Sequence, residues 1–269
     1  MEKVKNYIAE AIGTCCLVLF ACGTAVLSGE YLATALAFGV VLILVALTVC
    51  KESGCHINPA VSLAMLIRGK MSVADFVGYI CGQFLGGIVG ATLLGLFVIR
   101  GQFRLLGGNE ISGALMNAQG DLNAWSYIGA FLVEVVLTCV FVYVILTVTD
   151  SRHYEGKYPV LFIGLALTVV HLLGMGLTGT SVNPARSFGP SLLQGFGGNW
   201  TSFSQIWIWL LAPLAGGALA AILYGIVNKD GAVAIQKSES KPAAEPKAEE
   251  PKEEEVKEEK EEEAVKEQE

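Results

Sequence analysis

The chain has 269 residues, 53% hydrophobic and only 16% charged, with a mean hydropathy of +0.56 and a formal net charge of −7. A soluble domain of this size carries about 25% charged residues, so the composition excludes an ordinary water-soluble domain. From Asn228 to Glu269 there are 8 Lys and 15 Asp/Glu, which account for the whole net charge and leave 10 basic and 10 acidic groups in the other 227 residues. Those cations are scattered singly, whereas nucleic-acid binding needs a clustered basic stripe, so no nucleic-acid partner is expected. The seven cysteines are odd in number, lie mostly inside apolar runs and show no CxxC spacing. They indicate neither a disulfide framework nor a zinc site and read as small packing residues. No metal or cofactor is expected, and no nucleophile, base and orienter set suggests an enzyme.

A bilayer core about 30 Å thick takes about 20 apolar residues of helix. In chain order, runs near that length cover residues 7–27, 31–50, 73–99, 124–148, 158–175 and 206–227. The first lacks a small-residue cleavage site and five more runs follow it, so it reads as a span rather than a removable signal peptide. Pro159 opens the fifth run, where a helix tolerates proline. Long runs without alternating polarity favour helices over barrel strands, which predicts an all-α membrane protein of six transmembrane helices. Residues 53–70 and 176–194 are different: each starts with irregular, Gly-containing sequence and then turns apolar for about ten residues, too short to cross. These are predicted re-entrant half-helices. Irregular backbone at membrane depth is tolerated only when buried in protein or lining a water-filled cavity, so the pair implies a pore.

Lys3, Lys5, Lys51, Arg68, Lys70, Arg152, Lys157 and Lys229 fall on one side of this threading, against Arg100 and Arg104 on the other. The positive-inside rule then places both termini in the cytoplasm. Residues 228–269 are expected to be an acidic, disordered cytoplasmic tail, Lys/Glu/Pro/Ala low complexity from 236 on, with a docking segment for a basic partner or a gating element as the other reading. Its acidity argues against adhesion to an anionic inner leaflet.

The two halves repeat. Residues 9–15 match 133–139 at an offset of 124, Asn58-Pro59-Ala60 matches Asn183-Pro184-Ala185 at 125, and Gly86-Gly87 matches Gly216-Gly217 at 130. Three spans and one half-helix per half, about 5–100 and 124–227, require the second half to enter the membrane from the opposite side. Inverted repeats place their functional site near the midplane, often on discontinuous helices. A chain of this length would carry two Asn-Pro-Ala tripeptides by chance in fewer than about 0.1% of cases. Asn is a preferred N-cap and Pro a preferred first helical residue, so each triplet starts a half-helix cleanly. Beyond two ordinary caps, the functional reading is that two helix N-termini meet at the midplane, with the Asn58 and Asn183 amides left to donate into a pore.

Two such boxes in a six-span inverted repeat, within His56-Ile57-Asn58-Pro59-Ala60-Val61 and Thr180-Ser181-Val182-Asn183-Pro184-Ala185-Arg186-Ser187, closely resemble the major intrinsic proteins, the aquaporins and glycerol facilitators. The likeness covers about residues 5–227, is strongest to bacterial water-selective aquaporins, and leaves the tail outside. It implies a passive water channel of the cell membrane, a homotetramer with one pore per subunit. Glycerol or another small neutral solute is the alternative cargo, and a proton-coupled transporter belongs to a different class. The resemblance also implies a four-residue constriction, found here at Phe38, His171, Thr180 and Arg186. Glycerol facilitators are similar but typically carry Gly for the His, Trp for the Phe, and Asp after the Arg, where this chain has Ser187. Near the start of the sixth span an aromatic pair is usual in water channels, and Trp209-Leu210 departs from it.

Read without the family, a charge such as Arg186 at membrane depth is a functional hypothesis, against a snorkelling surface arginine. His171, mid-run in apolar sequence, fits either a hydrogen-bonded core residue or a pore residue. His56, two residues before Asn58, fits the cytoplasmic vestibule or a local cap. Glu10 and Glu134 recur at equivalent positions; they fit a proton relay or, as their symmetric placement favours, buried acceptors for N–H groups of the re-entrant loops. Gly82, Gly86 and Gly90, with Gly216, Gly217 and Ala220, supply small surfaces for close helix crossing.

Overall fold

The computed structural model describes residues 2–51, 53–98 and 103–228. The expectations for Arg100, Lys229 and the acidic tail lie outside these residues. Among the described residues all regular structure is helical. α1 (Glu2–Cys16) passes through a π-helical stretch (Leu17–Cys22) into α2 (Gly23–Ser28), and together they form the first span. Gly29, at φ 65°, closes it in the left-handed conformation that glycine adopts without steric cost. α3 (Tyr31–Leu47) follows, then the half-helix α4 (Pro59–Ile67), α5 (Val73–Leu93) with a π turn (Leu94–Val98), α6 (Ala124–Val148), α7 (Pro159–Thr178), the half-helix α8 (Pro184–Phe196), the short α9 (Thr201–Ser204) and α10 (Ile206–Val227).

Five of these spans are long and apolar enough to cross a bilayer, while α3 has 17 residues, the lower limit for crossing. The sequence suggested that this span runs on to Cys50. It stops at Leu47 because Thr48, Val49 and Cys50 all turn their N–H groups onto one carbonyl, Val45 O, at 3.3, 3.0 and 3.1 Å. α6 starts in a capping box, with Asn123 Oδ1 accepting from Trp125 N and Ser126 N while Ser126 Oγ accepts from Asn123 N. The large apolar side chains left exposed, such as Phe20, Leu36, Leu85, Leu132, Val169 and Leu211, lie on the outer faces of the spans, where hydrocarbon rather than water meets them.

The packing follows the repeat. α1 lies on α5 and α6 on α10, one pair per half, while α3 meets α7 between the halves. Each half-helix packs on the last span of the other half, α4 on α10 and α8 on α5. Small residues permit these approaches: a Cβ on Gly82 would stand 2.5 Å from Tyr7 O and one on Gly90 2.6 Å from Cys15 O, with Gly86 against Ala11 O between them. In the second half a Cβ on Gly216 would stand 2.5 Å from Val135 O. Backbone carbonyls therefore occupy the side-chain space, which only glycine leaves open.

Candidate functional site

Each half-helix begins at an asparagine. Asn58 Oδ1 accepts from Ala60 N at 2.9 Å, and Asn183 Oδ1 accepts from Ala185 N at 3.1 Å and Arg186 N at 3.2 Å, with Pro59 and Pro184 next in sequence. The amide nitrogens cross over: Asn58 Nδ2 donates to Val182 O at 2.7 Å and Asn183 Nδ2 to Ile57 O at 2.8 Å. Each amide carries two N–H donors, so one is spent on the opposite loop and one remains. Ala60 and Ala185 are fully buried because their carbonyls lie against Gly217 of α10 and Gly87 of α5.

The loops leading into the half-helices are strained in the same pattern. Cys55 and Ile57 have φ of 53° and 41°, Thr180 and Val182 of 47° and 43°. Left-handed β-branched residues are outliers that persist only when their surroundings over-determine them. Here buried carboxylates do so. Glu10 Oε1 accepts from Ser53 Oγ (2.8 Å) and His56 N (2.9 Å), while its Oε2 accepts from Ile57 N (2.5 Å) and Gln83 Nε2 (2.8 Å). Glu134 Oε1 accepts from Thr178 Oγ1 (2.6 Å) and Ser181 N (2.8 Å), and its Oε2 from Val182 N (2.8 Å). The repeat position of Gln83 is Pro213, which has no side-chain donor, so Glu134 has three partners where Glu10 has four.

The half-helix tips border a narrow cavity of about 20 Å³, room for roughly one water. Phe38, His56, Asn58, His171, Asn183 and Arg186 line it, with Leu17, Leu42, Phe141, Leu167 and Val182 among the apolar walls. The Phe38 and His171 rings stack with centroids 4.0 Å apart, and the Arg186 guanidinium carbon lies 5.0 Å from the Phe38 centroid. His171 Nδ1 meets Leu167 O at 2.8 Å, which assigns the proton to Nδ1 and leaves Nε2 as an acceptor without a protein partner. Arg186 is 2% exposed; its Nε also lacks a protein partner and is a donor.

Thr180 stands apart from the other three residues of the expected constriction. It does not border the cavity; its side chain is buried against α7, where a Cβ on Gly174 would lie 2.5 Å from Thr180 Oγ1. His56 Nδ1 is 3.1 Å from Ser62 Oγ and its ring is 5.0 Å from that of Tyr79. The repeat partner of that bond is Ser181 Oγ with Ser187 Oγ at 2.6 Å. Trp209 is fully buried between Ile111, Ala130 and Ala212, with its carbonyl 3.5 Å from Ser181 Oγ.

Sequence reasoning did not single out Gln83, Tyr79 or Asn109. Gln83 joins Glu10 to Ser62 Oγ (3.0 Å), and Tyr79 donates to Ser53 O at 2.6 Å. A lone amide inside an apolar span was the available signal for Gln83. Asn109, which contacts Arg186, sits in a polar loop and had none.

The family described as major intrinsic protein matches residues 1–224. The chain is 37% identical over 236 residues to Aquaporin Z of Rhodopseudomonas palustris, covering 85% of this chain and 95% of that protein. It is 36% identical over 235 residues to Aquaporin Z of Bradyrhizobium diazoefficiens, covering 84% and 95%. Among solved structures, the X-ray structure of the aquaglyceroporin from Plasmodium falciparum aligns with a TM-score of 0.72 at 24% identity, over 84% of this chain and 97% of that one. At that identity the likeness concerns the fold. The chain belongs to the major intrinsic protein family. It is an integral membrane channel protein with the aquaporin fold, in a family whose members are channels rather than enzymes.

Proposed function

We propose that the chain is a passive water channel that excludes protons and ions, with residues 1–227 as the channel unit. The observation that carries this reading is the convergence of Phe38, His171 and Arg186 on a cavity of about 20 Å³. A cavity of about 20 Å³ has room for roughly one water, which supports a reading in which a three-carbon polyol is excluded. Arg186 Nε and His171 Nε2 offer one donor and one acceptor, which replace hydrogen bonds a water loses on entering. The Arg186 charge and two half-helix N-termini add a barrier to cations, hydronium included. Asn58 and Asn183 each keep one N–H to orient the passing oxygen. Support also comes from two relatives named Aquaporin Z.

A proton-coupled transporter would need titratable groups in the path. Glu10 and Glu134 have their oxygens turned to loop N–H groups and do not border the cavity, which supports a bracing role. Thr180 takes part, in this reading, through the backbone turn it makes ahead of Asn183. His56 also lines the cavity and is assigned to the cytoplasmic vestibule. Both termini are assigned to the cytoplasm of a cell-membrane protein, and four copies assemble with one pore each.

The test is stopped-flow light scattering on proteoliposomes shrunk with an impermeant sugar and then with glycerol, with a pH dye inside. Fast shrinkage without glycerol re-swelling or proton leak is the expected outcome. Rapid re-swelling in glycerol would move the protein to the solute facilitators and point to the Trp209-Leu210 departure.

A further inference from the structure

Asn109 does not border the cavity, yet it is 1% exposed and its side chain reaches Arg186, which does border it. Its Oδ1 accepts from Arg186 Nη1 and, at 2.7 Å, from Ser187 Oγ, so both lone pairs are used. Its Nδ2 donates to Thr178 O at 3.1 Å, which fixes the amide's orientation. The residue is itself held in place. Gln194 Oε1, from the end of α8, accepts from Leu106 N (3.3 Å) and Gly108 N (2.6 Å); Ser202 Oγ donates to Asn109 O (2.8 Å), and Gln205 Oε1 accepts from Ile111 N (2.9 Å). Residues 106–111 therefore form a strap pinned by α8, α9 and the start of α10. Gly108 is the point of closest approach, since a Cβ there would lie 2.5 Å from Ser202 Oγ and 2.6 Å from Gln194 Oε1.

Arg186 has two weaker acceptors besides, Gly107 O at 3.3 Å from Nη1 and Gly179 O at 3.5 Å from Nη2. Without Asn109 Oδ1 the guanidinium keeps only these two acceptors among the described residues, and it borders the cavity.

We propose that Asn109 is a positioning residue that keeps the passage open by clamping the Arg186 guanidinium against the cavity wall. The proposal rests on the assignment of Arg186 to a water-conducting constriction. A hydrogen bond to a charged group is strong enough to bias the side chain's position by more than an order of magnitude. The predicted consequence is specific to conduction: a swung-in guanidinium obstructs water, while the fold and the number of inserted channels stay as they were.

The experiment uses the full chain in proteoliposomes, with water permeability divided by channels counted on quantitative blots and its activation energy measured between two temperatures. Asn109→Leu and the smaller, polar Asn109→Ser both remove the Oδ1 acceptor and leave Nη1 with Gly107 O at 3.3 Å. Each is expected to lower per-channel permeability about tenfold and to raise the activation energy, whereas Asn109→Asp, which keeps an acceptor oxygen, stays within about twofold of wild type. In an Arg186→Ala background the same replacements should change permeability by less than about twofold, because the clamped group is gone. A structural role alone would reduce channel number and leave per-channel values unmoved. Wild-type permeability in Asn109→Ser, or an equal fall in the Arg186→Ala background, would overturn the proposal. A wild-type chain that passes no water would instead overturn the water-channel reading, so the two failures are distinct.

Discussion

Arg186, His171 and Phe38 come from α8, α7 and α3, three elements far apart in the chain, and meet with the Phe38 ring centroid 4.0 Å from that of His171 and 5.0 Å from the Arg186 guanidinium carbon. Removing the first two bulky polar groups in Arg186→Ala with His171→Gly is expected to widen the passage and admit glycerol, read as re-swelling of proteoliposomes in a glycerol gradient. A double variant that conducts water and stays glycerol-tight would mean that the narrowing lies elsewhere. A second residue-scale prediction concerns Asp150, in the turn after α6. The Arg152 side chain (Nε at 2.9 Å), with the Arg152 N–H and Tyr224 OH (2.9 Å), holds its carboxyl well below the usual carboxylate range. A depressed folded pKa contributes stability above the unfolded value of about 3.9, lost as pH falls through the folded value. Asp150→Asn should therefore unfold at a lower temperature than wild type at pH 7 in detergent, with the gap closing below about pH 4. An unchanged gap at acid pH would show that the ion pair contributes nothing. The sequence singled out Arg186 and His171 from charge and position, but not Asp150, because its partner Tyr224 is 74 residues away.

At the scale of elements, the half-helices stand because their loops are pinned from behind. Glu10 takes four donors on two oxygens, and Glu10→Gln would turn an NH2 group toward groups that themselves donate. A loss of about 3 kcal/mol is expected, measured as a fall in unfolding temperature, since bonds to a buried charge are being broken. Glu134→Gln has three donors to disturb rather than four and should cost less. The glycine stripe makes a parallel prediction. Gly86→Leu forces α5 off the Ala11 carbonyl of α1 and is expected to cost roughly 3 kcal/mol or abolish insertion, because backbone fills the space. Stability equal to wild type would mean that the spans can part freely. The asymmetry between Gln83 and Pro213 could be read from the sequence only after the repeat was aligned, and its consequence only after Glu10 was seen to accept from both its own loop and Gln83 of α5.

At the scale of the molecule, the spans present apolar side chains outward, while the buried polar residues include Glu10, Gln83, Glu134, His171 and Arg186. The halves exchange contacts, each half-helix resting on the other half's last span, so neither half could complete the packing by itself. The charge imbalance of the sequence lies in the stretch from Asn228 onward. Deleting residues 236–269 is expected to leave per-channel permeability in vesicles unchanged, since that stretch is Lys/Glu/Pro/Ala low complexity with few apolar residues. A large change on deletion would make the tail a regulator of conduction.

The sequence by itself determined the class of solvent, the spans and the two interruptions, because hydrocarbon demands long apolar helices and tolerates broken ones only around a cavity. It also determined the repeat and both helix starts, because Asn-Pro is a local capping signal that needs no tertiary context. Only the tertiary structure decided where the long-range donors go. The Asn58 and Asn183 amides turn out to be half spent on each other's loops, Thr180 packs away from the cavity that Phe38, His171 and Arg186 share, and Asn109 reaches Arg186 across 77 residues. Such partners are fixed by the geometry of packing rather than by spacing along the chain. A hydrogen-bonding side chain in a loop looks the same in sequence whether it meets water or clamps a buried charge.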